Sequence, residues 1–277
     1  MPDPTVPDSP RALALVTGAT SGLGVHIADA LEARGLRVLR PALDELDLSS
    51  LDSVRRYSDL VLATGHPLAV LVLNAGVYAP PSRIETPDGF ELQWQVNLLG
   101  HAALTAHLLP SLRAVGGRVV SQTSFSAKSV TLDFADLQST RDYRPVTAYA
   151  RSKLAIGLFG LELDRRSREA GWGVSSALAH PGVASTNVFN ASGYSDAQFR
   201  QVRMMARLGL FNTAERGAAP AILAATAPDA GGQLFGPRGL GETSGAPRRR
   251  ALWSVLEDPE SSARLWDVLQ EQARIAF

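Results

Sequence analysis

An apolar run, Ala12-Leu13-Ala14-Leu15-Val16, stops at the cluster Thr17-Gly18-Ala19-Thr20-Ser21-Gly22-Leu23-Gly24. The chain then resumes with Val25, Ile27, Ala28 and Leu31 at helical spacing and closes at Gly35. A short continuous apolar run reads as a strand buried on both faces, as in a parallel sheet. Glycines between such a strand and a helix let the backbone approach a pyrophosphate. The helix N-terminus adds free N–H groups and a partial positive charge. The competing reading is a tight turn that only packs helix against strand.

The rest of the chain repeats the alternation. Leu36 to Arg40 predicts a second strand, and only Pro41 to Leu46 separate it from Asp47-Leu48, where the next unit begins. Parallel neighbours need a crossover of a dozen or more residues. There is therefore no room for a helix between the second and third strands, and the third strand is a stub or the sheet edge is irregular. A helix follows from Leu51 to about Leu60. Pro67 to Leu73 is another buried strand, ending in Asn74-Ala75-Gly76, and a long helix is expected from about Pro87 to Leu112. Arg118 to Gln122 delivers Thr123 and Ser124 to a strand end, and Val174 to Ala179 delivers His180-Pro181-Gly182. Asn212-Thr213-Ala214-Glu215 caps a helix through about Ala225, and Gln233 to Phe235 is a candidate last strand. This alternation predicts an α/β fold with a doubly wound, mostly parallel sheet, formed by one domain over residues 11–277. Residues 1–10, rich in Pro and Asp, read as a disordered tail without the basic and apolar regions of a signal peptide. In such sheets ligands lie beyond the carboxyl ends of the strands, where the glycine turn, Asn74, Ser124 and Pro181-Gly182 would converge.

Thr147-Ala148-Tyr149-Ala150-Arg151-Ser152-Lys153 opens a further helix. The chain has 27 basic residues, of which only Lys128 and Lys153 are lysines. A chain that uses Arg almost everywhere places a Lys four residues after a Tyr, on one helical face. Lys is a compact point charge with a movable pKa, unlike the permanently charged Arg fork. Zero cysteines exclude disulfides, thiolate nucleophiles and Cys-based metal sites, and the five histidines show no ligand spacing, so no metal is expected. Zero net charge gives no reason to expect nucleic acid or an acidic membrane, and no apolar stretch approaches the length of a membrane span. A cytoplasmic protein is expected.

These residues resemble the short-chain dehydrogenase/reductases over essentially the whole chain after the tail, most closely the retinol-dehydrogenase-like branch. Gly18, Thr20, Ser21, Gly22, Leu23 and Gly24 look like that family's Rossmann-type glycine motif, and Asn74, Ala75 and Gly76 like its strand-end motif. Asn97, Ser124, Tyr149 and Lys153 fall on its catalytic asparagine, serine, tyrosine and lysine. Pro181, Gly182, Val183 and Thr186 match the segment that meets the nicotinamide, while Asp47 and Leu48 resemble the pair that contacts adenine. His180-Pro181-Gly182-Val183, the stretch Gly217 to Gly239 and the long gap between Ser124 and Tyr149 suit the retinol-dehydrogenase-like branch.

The resemblance implies hydride transfer between NADP(H) or NAD(H) and a small-molecule alcohol or carbonyl compound. Tyr149 would handle the proton, Ser124 would hold the substrate oxygen, and Asn97 would fix a relay water. Lys153 would bind ribose hydroxyls and lower the phenol from about 10 toward neutrality. Arg40 stands where NAD users carry an acidic residue, which favours NADP(H). The segment 186–212, rich in large apolar groups, corresponds to the substrate lid and suits a bulky apolar substrate; it could equally form a subunit contact. A homo-oligomer, dimer or tetramer, is usual in the family. The shortened region after Arg40 keeps a second possibility open, a repurposed member doing epimerase, dehydratase or cyclase chemistry at the same site. Gln122 places a polar amide where this strand carries an aliphatic residue in relatives. It either meets a partner in the core or faces the pocket. Arg248-Arg249-Arg250 reads as a solvated surface loop.

Overall fold

The computed structural model describes residues 12–183 and 212–277. The tail 1–10, Thr186 and nearly all of the expected lid lie outside the described residues. Strand β1 (Leu13–Val16) is followed by α1 (Gly22–Glu32), β2 (Arg37–Leu39), α2 (Leu51–Ala63) and β3 (Leu68–Leu73). A short helix α3 (Leu92–Trp94) passes through a π-turn (Gln95–Leu99) into α4 (Gly100–Arg113). Then come β4 (Arg118–Gln122), a 3₁₀ turn (Phe125–Ser129), α5 (Pro145–Ala170), β5 (Ser175–Ala179), α6 (Ala214–Thr226), β6 (Leu234–Pro237), β7 (Pro247–Arg250) and α7 (Pro259–Ala273).

These strands form one sheet in the order β2-β1-β3-β4-β5-β6-β7, parallel except for β7, which runs antiparallel to β6. The period-2 pleat sorts each strand's side chains between two cores. Leu13, Leu15, Leu71, Leu73 and Val119 face α2, α4 and α5, where Phe159, Trp94 and Trp266 of the helices fill the space. Ala14, Val16, Val70, Val72 and Val120 face α1 and α6, whose contact residues include Ala28, Ala218, Ala221 and Ala224. Small residues on both partners bring those two helices close to the sheet and to the glycine turn between β1 and α1.

Two sequence expectations are corrected, one open alternative is decided and one helix is added. No strand forms at Asp47-Leu48. The connection is a series of turns in which Leu46 and Leu48 bury their side chains, so β2 is the sheet edge. The long helix begins at Leu92 rather than near Pro87, because the Glu91 carboxylate accepts from the backbone N–H groups of Gln93 and Trp94 and starts it there. Arg248 to Arg250 belong to edge strand β7 and not to a loop; Arg248 and Arg249 are exposed while Arg250 turns inward. Residues 259–273 form α7, which the sequence reading did not assign, and its Trp266 stacks on Phe159 with centroids 5.7 Å apart.

Candidate active site

The carboxyl ends of β1, β3, β4 and β5 converge as the parallel topology requires. At the end of β1 the Thr17 hydroxyl accepts from the backbone N–H groups of Asn74 and Ala75, both at 2.9 Å, and Asn74 Nδ2 donates to Thr17 O at 2.8 Å. This staples Asn74-Ala75-Gly76 to the glycine turn. Gly18 adopts φ +65°, and a Cβ on Gly24 would lie 2.2 Å from Gly18 O, so both positions require glycine. Ser21 caps α1 without a side-chain hydrogen bond, which leaves first-turn N–H groups of α1 available to an anion.

Asn97 sits in the π-turn, a local widening of the helix that often marks functional positions. Its Nδ2 donates to Val77 O (3.0 Å) and Ser152 Oγ (2.9 Å), and its Oδ1 accepts from Val77 N (2.8 Å). The side chain thus holds the segment after Gly76 against α5, a positioning task. Behind it, His101 bridges the Thr17 hydroxyl (2.9 Å) and Asn97 O (3.3 Å) in a fully buried setting that pushes its pKa down to about 3. His101 follows Asn97 by four residues, and that helical spacing was the signal available for it in the sequence.

Ser124 follows β4 and caps the 3₁₀ turn, accepting from Ser126. Its hydroxyl and the phenol of Tyr149 line the same cavity. The Tyr149 ring packs edge-on against Tyr78, with centroids 4.6 Å apart. Lys153, one turn further along α5, is buried, donates from Nζ to Gln122 O at 3.0 Å, and stands 6.0 Å from the Tyr149 ring centroid. The Thr123 hydroxyl donates to Lys153 O at 2.6 Å and fixes this stretch of α5 on β4. Burial dominates at both groups: it pushes Tyr149 up to about 12, opposed by the nearby Ser124 hydroxyl, and Lys153 down to about 8.

Two cavities border these residues. One, of about 280 Å³, is lined by Leu23, Tyr78, Gln122, Ser124, Phe125, Tyr149, Lys153 and Pro181 to Val183. The other, of about 600 Å³, is lined by Gly18, Thr20, Ser21, Gly22, Pro41, Asp47, Leu48, Ala75 and neighbours. Leu23, Asn74, Gly76 and Tyr78 line both, so together they form one elongated groove. Its glycine cradle, the free N–H groups at the start of α1 and its two joined cavities fit a dinucleotide. Within the groove, Asp47 folds its carboxylate onto Ser49 N and Oγ (2.8 and 2.7 Å). Leu48 packs so closely on α4 that a Cβ on Gly100 would lie 2.5 Å from Leu48 O. Arg40 does not line the groove. Asp29 and Glu32 of α1 hold its guanidinium, each at 2.8 Å.

One further residue ties the site together and was not found in the sequence reading. Glu242, 8% exposed and at φ +60°, accepts from Arg250 Nη2 (2.8 Å), Lys128 Nζ (3.3 Å) and Trp253 Nε1 (3.3 Å). His180 Nε2 lies 3.1 Å from Oε2, the oxygen that also accepts from Trp253, off the line of a well-formed hydrogen bond. Next to it, Thr243 O accepts from Val183 N, while Asn212 donates to Val183 O and Pro181 O. Sequence separation of more than a hundred residues between Lys128 and Glu242 hid this junction.

A parallel doubly wound sheet with a glycine cradle at one end of its groove and a Ser-Tyr-Lys cluster at the other defines a nicotinamide-nucleotide oxidoreductase. The short chain dehydrogenase family model matches residues 42–196. Mouse (Mus musculus) polyprenol dehydrogenase is 37% identical over 95% of this chain and 84% of that protein, and human retinol dehydrogenase 13 is 33% identical over 96% and 85%. A crystal structure of a putative uncharacterized protein from Mycobacterium paratuberculosis superposes with a TM-score of 0.74, at 29% identity over 96% of this chain and 94% of that one. The chain belongs to the short-chain dehydrogenase family, in its retinol-dehydrogenase-like branch, and is an NAD(P)-dependent dehydrogenase/reductase. Among solved neighbours of this fold, one holds NADP and another NADH.

Proposed function

We propose that this enzyme interconverts a carbonyl and an alcohol on a bulky, largely apolar small molecule, with NADP(H) favoured over NAD(H). The observation that carries the reading is the convergence of Ser124, Tyr149 and Lys153 on one cavity that continues into the dinucleotide groove. The nicotinamide, when bound, supplies or accepts the hydride. The chain's own residues manage the proton. Ser124 and Tyr149 hydrogen-bond the substrate oxygen, and the Tyr149 O–H gives its proton to that oxygen in reduction or recovers it in oxidation. Lys153 spends one N–H on Gln122 O and keeps two for ribose hydroxyls. Asn97 and Gly76 hold the groove wall between them.

Leu23, Phe125, Val146 and Val183 give the cavity an apolar lining, and the curated relatives are named for polyprenol and retinol. The NADP(H) preference rests on the absence of a carboxylate at the end of β2 and on Arg40 beside it. Because Arg40 must leave Asp29 or Glu32 to reach a 2′-phosphate, the preference is small. The reading extends to a cytoplasmic homo-oligomer, dimer or tetramer, which gel filtration checks. Among the described residues no helix is long and apolar enough to cross a membrane.

The test is NADPH consumption with long-chain isoprenoid aldehydes against small ketones, and Tyr149→Phe in parallel. Tyr149→Phe is expected to abolish turnover while leaving nucleotide affinity nearly intact; unchanged turnover removes the assignment.

A further inference from the structure

Gln93 of α3 is fully buried and stands four residues before Asn97 on continuous helical backbone, so the two amides project to one side. Both join the same pair of segments, residues 77–79 and α5. Gln93 Oε1 accepts from Ala79 N at 2.7 Å, while its Nε2 donates to Pro145 O at 3.1 Å and to the Tyr143 hydroxyl at 3.0 Å. That hydroxyl donates onward to Pro80 O at 3.1 Å. Asn97 holds both backbone polar groups of Val77 and donates to Ser152 Oγ, which in turn donates to Tyr149 O at 2.8 Å.

Tyr78 lies between the two clamped residues Val77 and Ala79, and Tyr149 lies between the two clamped points of α5. Pro145 O is the carbonyl that α-helical geometry assigns to the N–H of Tyr149, four residues on. The peptide groups on either side of the phenol-bearing residue are thus each linked to an amide, to Gln93 through Pro145 and to Asn97 through Ser152. The two rings held in this way meet with centroids 4.6 Å apart and planes at 75°, and both line the catalytic cavity. Edge-to-face contact is a geometry that aromatic quadrupoles favour. Ala79 is buried at φ +46°, a left-handed conformation that alanine adopts only where its surroundings compel it. Gln93, by taking the Ala79 N–H, is one of the groups that compel it. Its side-chain oxygen and nitrogen are both engaged, and a satisfied buried amide fixes geometry in a way an apolar side chain does not.

We propose that Gln93 is a positioning residue for Tyr149: with Asn97 it brackets the Tyr78 ring against the phenol and so holds the phenolic oxygen where proton transfer requires it; this rests on the function proposed above. Gln93 lines neither cavity, so it acts through the two segments that it joins.

The experiment compares the wild type with Gln93→Met, a change of similar volume that removes the amide. Steady-state reduction of an isoprenoid aldehyde and fluorescence titration with NADPH are measured at a temperature where both proteins are folded. The expected result is a kcat about 10–100-fold lower, the scale of displacing a reacting group by about 1 Å, with an NADPH dissociation constant changed by less than about twofold. A role confined to stability would lower the melting temperature and leave the kcat of folded protein unchanged. That outcome overturns the proposal, as does a parallel loss of kcat and NADPH affinity. Tyr78→Leu, alone and combined with Gln93→Met, tests the route. A double variant within about twofold of the slower single supports action on the phenol through one contact, whereas losses that multiply overturn it. Tyr143→Phe takes one hydroxyl from the same bracket and carries the test if Gln93→Met does not fold. A kcat lower by about threefold, the scale of one net hydrogen bond, at unchanged NADPH affinity then supports the proposal, and an unchanged kcat overturns it. If the wild type reduces no aldehyde with NADPH or NADH, or Tyr149→Phe turns over as fast as the wild type, the proposed function itself falls, and the two failures are thereby distinguished.

Discussion

Replacing Glu242 by Gln removes one negative charge from a junction where Arg250, Lys128 and His180 meet at a single carboxylate. The residue is 8% exposed and held at φ +60°, a backbone conformation that a Glu adopts only when its surroundings compel it. Removing one partner of a buried ion pair costs about 3–5 kcal/mol. Lys128 keeps 34% of its side chain in solvent and Arg250 17%, so part of that is screened and about 2–3 kcal/mol is the reasoned figure. With an unfolding entropy of about 2 cal/mol/K per residue over 277 residues, each kcal/mol moves the thermal midpoint by about 2 °C. Glu242→Gln is therefore expected to melt about 4–6 °C below the wild type at pH 7.

The pH dependence supplies the stricter check. His180, then Arg250 and Lys128, hold the Glu242 carboxyl well below the usual carboxylate range. A carboxyl depressed in the folded state contributes stability above its unfolded pKa of about 4.5 and loses it as pH falls through and below that value. The gap between wild type and variant should thus be constant from pH 8 to about pH 5.5 and narrow below about pH 4.5. Differential scanning fluorimetry at several pH values reads both effects. A variant as stable as the wild type at pH 7, or a gap that persists unchanged at acid pH, refutes the reasoning. Because the junction anchors the turn after Ser124 and the segment 180–183, nucleotide affinity should fall as well, measurable at a temperature where the variant is fully folded.

Three further outcomes are expected. A Cβ at Gly76 would lie 2.9 Å from Asn97 Oδ1 and 3.4 Å from Lys153 Nζ, so Gly76→Ala should displace both and lower kcat/KM by about 10–100-fold; steady-state rates with folded protein decide this. Arg40→Ala should change the NADPH/NADH affinity ratio by less than about threefold, since two carboxylates already hold the guanidinium, whereas Asp29→Asn with Glu32→Gln should raise that ratio; parallel titrations test it. With Tyr149 pushed up to about 12, the phenol is protonated at neutral pH and its ionised fraction grows tenfold per pH unit. Alcohol oxidation should therefore speed up from pH 6 to about pH 8, where Lys153 begins to lose its proton, while carbonyl reduction stays flat over that range, and an oxidation profile already level between pH 6 and pH 7.5 would falsify this and show that bound nucleotide lowers the phenol.

Features written in neighbouring residues were legible without the fold. The buried runs at 12–16, 67–73 and 118–122 become β1, β3 and β4 because a strand inside a parallel sheet needs little more than consecutive apolar side chains. Tyr149 and Lys153 share a helical face through spacing alone, and the glycine turn identifies itself because only glycine tolerates those backbone angles and contacts.

What the sequence could not show depends on partners far away along the chain. Arg248 to Arg250 form a strand only because β6 offers them a hydrogen-bonding edge, and no local pattern of three arginines announces that. Arg40 looked available for a phosphate until α1 placed Asp29 and Glu32 around it. The lysine beside Tyr149 was legible, but the burial that holds the phenol's proton in place is a property of the packed cavity. Gln122 was an open question between core and pocket, and the fold places it in the wall of the catalytic cavity, its Oε1 buried without a hydrogen-bond partner among the described residues. Sequence alone thus determined the family and the fold and singled out the side chains proposed to react, since those reside in short-range spacing and turn chemistry. Tertiary structure decided which charges are already paired and which polar groups still lack a partner, because desolvation and ion pairing are set by every segment that meets at a point.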